Sequence, residues 1–225
     1  MAEIRKMRPT VALVLSGGGA KGIAHIGVIK ALEENNIPID YITGTSIGAV
    51  IGSLYAMGYS PEEMEELIQS DAFNRWYTGK LEAGYQFYYK QAEPNPALAH
   101  VELVTLDSMV VARTAANSLV NPTQMNLAFV DIYSAGTAAC DNDFDSLFVP
   151  FRAVASDVYN KKSIVLGKGD LGDAVRASMS FPLVFKPIKI DSLLAFDGGI
   201  YDNFPYDVMR DEFNPDFVIG CNVSG

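Results

Sequence analysis

Val11-Ala12-Leu13-Val14-Leu15 runs into Ser16-Gly17-Gly18-Gly19-Ala20-Lys21-Gly22, and further along Tyr41-Ile42-Thr43 runs into Gly44-Thr45-Ser46-Ile47-Gly48. Each is an apolar, strand-like run that closes on a glycine turn and opens a helix. Five consecutive apolar residues suit a central strand covered on both faces. Residues 20–36 then read as a helix stopped by Asn36 and Pro38, with Ala20, Ala24, Gly27 and Ala31 as a small-residue stripe that brings it close to the sheet. Residues 47–57 read as a second helix, in which Gly48 and Gly52 again permit close packing. Ser60-Pro61-Glu62-Glu63 is a capping box with proline at the first helical position, and it starts a third helix reaching Gln69.

Strand signals return at residues 101–106, 148–155, 163–166, 186–190 and 193–196, with a short helix at 173–179. Phe217 to Val223 reads as a buried strand in which Cys221 is a small hydrophobe. Alternating strands and helices predict an α/β fold, a mostly parallel central sheet with helices on both faces. Residues 71–99 lose this regularity, and 107–147 carry no clear period. The expectation is one domain over 9–225, with 1–8 as a flexible leader and 71–147 as a variable region that shapes the pocket.

Bulk properties narrow the possible partners. The 225 residues are nearly half hydrophobic and a fifth charged, which excludes a disordered chain. Seventeen Lys and Arg against 27 Asp and Glu leave a net charge of −10, which argues against nucleic acid and against a polybasic route to anionic lipid. Two histidines, His25 and His100, and two cysteines, Cys140 and Cys221, have no metal-ligand spacing, so neither metal nor other cofactor is expected. No signal peptide is visible in the first residues. The uncharged run from Tyr41 to Pro61, with Gly44, Gly48 and Gly52 at spacing four, imitates a membrane span, but its polar residues and its strand-like start argue against one.

The two turns together supply what acyl transfer needs first. Gly17, Gly18 and Gly19 present a cluster of backbone N–H groups fit for an oxyanion. Gly44-x-Ser46-x-Gly48 holds a serine on a sharp strand-to-helix turn, with the Ile47 N–H at the positive helix end beside it. The Gly-rich loop is no P-loop, because Ile23 follows Gly22. Gly17-x-Gly19-x-x-Gly22 does match the dinucleotide fingerprint, but the acid wanted after the next strand is replaced by Ser46, and Asp40 lies before that strand. Lys21 opposes the helix dipole, either to meet an anion such as a phosphate headgroup or simply to extend into solvent. No histidine follows residue 100, so a Ser, acid, His order is impossible; His25 reads as structural. The better base is Asp197, which ends the apolar run Leu193-Leu194-Ala195-Phe196 before Gly198-Gly199, where burial would raise its pKa.

Ser16 to Gly22, Gly44 to Gly48 and Asp197-Gly198-Gly199 occur in the order found in the patatin-like phospholipases, which this chain resembles over most of its length. The resemblance extends to Arg176-Ala177-Ser178-Met179-Ser180-Phe181-Pro182 and to Asp202-Asn203-Phe204-Pro205. It implies a patatin-like three-layer sandwich and a serine–aspartate dyad without histidine or metal. It implies hydrolysis of phospholipid or lysophospholipid acyl esters at a membrane surface. Ser46 would be the nucleophile, Asp197 the base, and Gly18 and Gly19 oxyanion donors, with Lys21, Gly22, Gly44, Gly48, Gly198 and Gly199 as motif support. The chain looks especially like bacterial members that precede a periplasmic segment and an outer-membrane barrel. That resemblance implies an exported or outer-membrane-associated fragment of a longer protein, a cytoplasmic protein being the alternative. A dinucleotide module and a catalytically silent lipid-binding domain are the rival readings. The aromatic-rich stretch Trp76 to Tyr89 is expected either to dock on lipid as a lid or to fill the core.

Overall fold

The computed structural model of the chain describes residues 8–80, 100–106, 109–115 and 120–224. Its strands are β1 (Val11–Leu15), β2 (Tyr41–Thr45), β3 (His100–Leu106), β4 (Met109–Ala115), β5 (Phe151–Asp157), β6 (Lys162–Leu166), β7 (Ile188–Ile190), β8 (Leu193–Asp197) and β9 (Phe217–Cys221). Its helices are α1 (Ile23–Glu34), α2 (Ile47–Ala56), α3 (Pro61–Gln69), α4 (Asp71–Thr78), α5 (Thr123–Ala139), α6 (Leu171–Ser178) and α7 (Tyr206–Glu212).

β9, β1, β2 and β5 pair in parallel and form the half of the sheet that carries the two glycine turns. Beyond β5 the pairing is antiparallel, with β6, with β8, and then between β8 and β7. β3 and β4 form a separate antiparallel pair. Successive side chains of a strand point to opposite faces. Leu13 and Leu15 of β1 accordingly join Ile26 and Ile29 of α1 and Ile51 and Leu54 of α2, while Ala12 and Val14 meet Met209 of α7. A strand between two helical layers must be apolar at every position, which is why β1 reads as it does.

The fold class is the expected one, and several local readings need correction. The small-residue stripe is not the packing face of α1. Ala24, Gly27 and Ala31 are exposed, and the buried face is His25, Ile26, Ile29 and Leu32. Nothing lies within 4 Å of where a Cβ on Gly27 would stand. Bulky residues three and four apart bury more area than a line of alanines, and they set the rotation. Ala20 falls outside the helix, in a 3-10 turn over Gly19–Gly22. Among the described residues β9 is an edge strand rather than a buried one: it pairs there only with β1, Phe217 is exposed and Cys221 is half-buried. The irregular regions hold α4, capped by the Ser70 hydroxyl and ended by left-handed Gly79, and the long α5. The capping box at Ser60 forms in both directions with Glu63, and α3 ends at Gln69.

One feature of the sheet positions the site. β2 pairs with Phe151 to Val154 of β5, and β8 pairs with Ala155 to Asp157. β6 pairs with Ala153 to Asp157, overlapping both, so it occupies the opposite edge. β2 and β8 therefore share one edge of β5 and meet end to end. Thr45 stands opposite Val154 and Asp197 opposite Ala155, adjacent positions on the same strand.

Candidate active site

Ser46 follows the last residue of β2 and precedes the first of α2. Its backbone sits at φ 54°, ψ −122°, a strained conformation for a residue with a side chain, which costs on the order of 1–3 kcal/mol. The neighbouring glycines make the turn possible. A Cβ on Gly44 would overlap the Gly48 carbonyl, and one on Gly48 would overlap the carbonyls of Leu15 and Ser16. The Ser46 N–H donates to Ser178 Oγ at 2.9 Å, and Ser178 Oγ donates to the Val154 carbonyl at 2.6 Å. The end of α6 thus braces the turn against β5.

The Ser46 hydroxyl donates to Asp197 Oδ2 at 2.7 Å. Asp197 Oδ1 accepts the Gly199 N–H at 2.8 Å, and the Asp197 N–H donates to the Ser180 carbonyl at 3.0 Å. Only 4% of Asp197 is exposed. Burial pushes its carboxyl above the usual aspartate range, and the Ser46 hydroxyl and the Gly199 N–H pull less strongly the other way. A Cβ on Gly198 would overlap the Val154 carbonyl, so the turn after β8 also requires glycine.

The Gly-rich loop lies beside Ser46. The N–H of Gly17 is not free for an oxyanion, because it donates to the Asn203 carbonyl at 3.0 Å. That corrects the reading of Gly17 as a donor; its role is to hold the loop to the segment after β8. Among the described residues the N–H groups of Gly18 and Gly19 have no partner. The Ile47 N–H belongs to the first turn of α2, where helical N–H groups have no intrahelical acceptor. Gly22 packs against the Ile47 side chain, and Lys21 stands exposed on the loop.

His25 is fully buried and does not reach Ser46. Its Nε2 lies 2.9 Å from the Ser16 carbonyl, which can only accept, so Nε2 carries the proton. Its Nδ1 has no partner among the described residues, and burial lowers its pKa, which favours the neutral ring. It anchors the root of the Gly-rich loop. The described residues contain no cluster of three or more His, Cys, Asp or Glu side chains that could hold a metal. Asp40 is paired with Arg8 at 2.7 Å at the start of β2, the far end of the sheet from the loop, which removes the acid a dinucleotide would need.

Ser46 and Asp197 line a cavity of about 800 Å³. Gly18, Gly19 and Ile47 line it with them, and Ile68, Phe73, Trp76, Met125, Phe129 and Phe185 are among its apolar residues. Trp76 thus has a wall position, whereas residues 81–89 of the expected lid lie outside the described residues, as does the side chain of His100. No helix among the described residues is long and apolar enough to cross a membrane; the uncharged run is split between β2 and α2.

The patatin-like phospholipase model matches residues 13–210. The chain belongs to that family. An NTE family protein of Mycobacterium tuberculosis is 30% identical over 96% of this chain and half of its own length. The human patatin-like phospholipase domain-containing protein 6 is 32% identical over 89% of this chain and 12% of its own. The chain therefore spans half or less of these relatives. Among solved structures, VipD from Legionella pneumophila superposes over 94% of this chain and 49% of its own with a TM-score of 0.55 at 14% identity, a likeness of fold. Patatin-like membership supports the coarse activity of a lipid ester hydrolase.

Three residues in the patatin-like site carry parts that motif reading did not assign. Ser178 holds the Ser46 turn, Ser180 holds Asp197, and Asn203 holds Gly17. Arg176 is 3% exposed and holds Ser180 in turn: it donates to Ser180 Oγ at 2.7 Å, to Asn126 Oδ1 at 3.0 Å and to the Lys186 carbonyl at 3.2 Å. Burial lowers its pKa to about 10, and the charge of Asp173 pulls less strongly the other way. The signal in the sequence was a cation inside the otherwise apolar and small run 174–182.

Proposed function

We propose that residues 9–225 form one acyl hydrolase domain that cleaves carboxylic esters of phospholipids or lysophospholipids with Ser46 as nucleophile and Asp197 as base. The observation that carries the reading is the 2.7 Å hydrogen bond from the Ser46 hydroxyl to a buried carboxylate at the side of an apolar cavity. Ser46 Oγ attacks the ester carbonyl as its proton passes to Asp197. The negative charge on the carbonyl oxygen is met by the N–H groups of Gly18, Gly19 and Ile47. Collapse transfers the proton to the departing alcohol and leaves an acyl-serine. Water then attacks the acyl carbon, giving its proton to Asp197, and the proton returns to Ser46 Oγ as the fatty acid leaves. The raised pKa of Asp197 makes it a stronger base than an exposed aspartate.

A lipid tail suits the apolar walls. A relative from Candida albicans, 24% identical over 89% of this chain, is named a lysophospholipase, which favours the same substrate class here. A fluorophosphonate probe tests the reading: the wild-type protein is expected to be labelled and Ser46→Ala is not. Labelling of Ser46→Ala at the wild-type rate would exclude Ser46 as nucleophile. Absence of labelling in a well-folded wild type would favour a silent lipid-binding domain.

A further inference from the structure

The N–H groups of Gly18 and Gly19 are held by different means. In a planar trans peptide the N–H points opposite to the C=O, so whatever holds a carbonyl also aims the next N–H. The Gly18–Gly19 peptide enters the 3-10 turn over Gly19–Gly22. Its carbonyl accepts the Lys21 N–H at 3.4 Å, and the turn itself thereby sets the Gly19 N–H. The Gly17–Gly18 peptide precedes that turn. Both torsions that would flip it belong to glycines, so sterics alone would let its carbonyl take the place of its N–H.

Hydrogen bonds supply what sterics leave open. The Gly17 carbonyl accepts the Ser16 hydroxyl at 3.0 Å and the Asn203 side-chain amide at 3.4 Å. Ser16 is fully buried, and its oxygen accepts the Val223 N–H at 2.8 Å, which leaves the hydroxyl proton for the Gly17 carbonyl. The preceding peptide is fixed at both polar atoms. The Ser16 carbonyl accepts from His25 Nε2 at 2.9 Å, and the Gly17 N–H donates to the Asn203 carbonyl at 3.0 Å. With the Gly17 carbonyl drawn to Ser16 and Asn203, the Gly18 N–H is turned the other way. Gly17 is buried, Gly18 is exposed, and both line the cavity with Ser46. A Cβ on Gly17 would overlap Asn203 Oδ1, and one on Gly18 would overlap the Val223 side chain. The packing that makes these bonds is therefore the packing that demands glycine.

We propose that Ser16 and Asn203 are positioning residues that lock the Gly17–Gly18 peptide, so that the Gly18 N–H stands ready for the oxyanion before substrate binds. The proposal rests on the acyl-hydrolase reading of the site. A donor fixed in advance needs no reorganisation as charge develops on the carbonyl oxygen. A flipped peptide would set the Gly17 carbonyl against that charge.

A trifluoromethyl ketone with a short alkyl chain, isotope-labelled at its carbonyl carbon and followed by NMR, tests the lock. Ser46 Oγ adds to the ketone carbon as its proton passes to Asp197, and the former carbonyl oxygen takes the oxyanion position. The chemical shift reports the pH at which that oxygen ionises. In Ser16→Ala the adduct should ionise at a pH higher by about one or more, equivalent to a tenfold loss of oxyanion stabilisation. Asn203→Ala should move it the same way and less, because its bond is the longer one. With a short soluble ester, kcat for Ser16→Ala should fall about tenfold or more while KM holds. A tilted Ser46 or a loosened fold would lower kcat or the yield of adduct, but not the ionisation of the adduct that forms. Unchanged ionisation in Ser16→Ala overturns the proposal even where kcat falls. Should Ser16→Ala fail to fold, Asn203→Ala decides by the same measure, since it keeps its main-chain bond to Gly17. Failure of the underlying reading looks different. A folded wild type that forms no adduct, or Ser46→Ala protein that forms one, defeats the nucleophile assignment and the lock with it.

Discussion

On one side of the cavity, Ser46, Asp197, Ser178 and Ser180 are tied to one another and to the Val154 carbonyl by hydrogen bonds of 2.6–3.0 Å. At the lip of the same cavity, Ile23, Tyr77, Phe181 and Leu183 face water and are placed by the ends of helices and one tight turn. The first set is buried and directional, so shifting one member moves its partners. The second is apolar and exposed, so each member can be changed with little cost to the fold. On the proposed function, chemistry belongs to the braced residues and access to the exposed ones.

The largest expected effect is on the braced side. Asp197→Asn removes the base and should lower kcat by on the order of 10²–10⁴. The loss should be the same for a short soluble ester and for vesicle lipid, since both need the proton moved. A loss confined to vesicle lipid would dissolve the distinction between the two regions.

Ser178→Ala comes next. It leaves the Ser46 N–H and the Val154 carbonyl without their shared partner. Leaving such buried groups unsatisfied costs roughly 1–3 kcal/mol, and thermal melts should register it. As the turn relaxes, kcat for the soluble ester should fall about tenfold with KM nearly constant. An unchanged kcat would mean that α6 does not position the nucleophile.

The pH dependence separates the regions further. Burial raises the Asp197 pKa, so activity should rise with pH through that raised value, above the ordinary aspartate range. The folded protein holds this proton more tightly than the unfolded chain does. The contribution of Asp197 to stability is therefore complete below its unfolded pKa and lost as pH rises through its folded pKa. Asp197→Asn carries no such charge, so its melting temperature relative to wild type should increase from acid to neutral pH. Leu183→Asn changes an exposed residue and should show no comparable trend, the smallest effect of the set. A pH-independent offset for Asp197→Asn would contradict the buried-carboxylate account.

The two regions were unequally legible. The braced side is dense in residues whose role follows from local sterics: glycines where a Cβ overlaps a carbonyl, and a serine on a turn between them. Asp197 could be selected because it ends an apolar strand before two glycines. Gly17 was misassigned because a loop of glycines does not reveal which N–H the rest of the fold has already taken, here by Asn203. The small-residue stripe of α1 failed for a related reason. Period alone offers several faces, and the sheet selects the one with Ile26, Ile29 and Leu32. α4 does carry an apolar stripe, Phe73, Trp76 and Tyr77 at i, i+3 and i+4, but its eight residues are too few for that period to stand out in the irregular, aromatic-rich stretch 71–99. Nothing local marks Ile23, Tyr77, Phe181 and Leu183 as neighbours, since they come from three separated segments.

By itself the sequence determined the glycine turns, the capping box at Ser60, the doubly covered strand β1 and the choice of Ser46 and Asp197 as candidate nucleophile and base. These are decided within a few residues by backbone sterics, by capping hydrogen bonds and by burial on alternate faces. Only the tertiary structure decided that Ser46 and Asp197, 151 positions apart, should touch. Their meeting depends on β2 and β8 sharing one edge of β5 and ending at adjacent residues, Val154 and Ala155. Edge and register are properties of the assembled sheet, because pairing energy is distributed over strands that no local window contains.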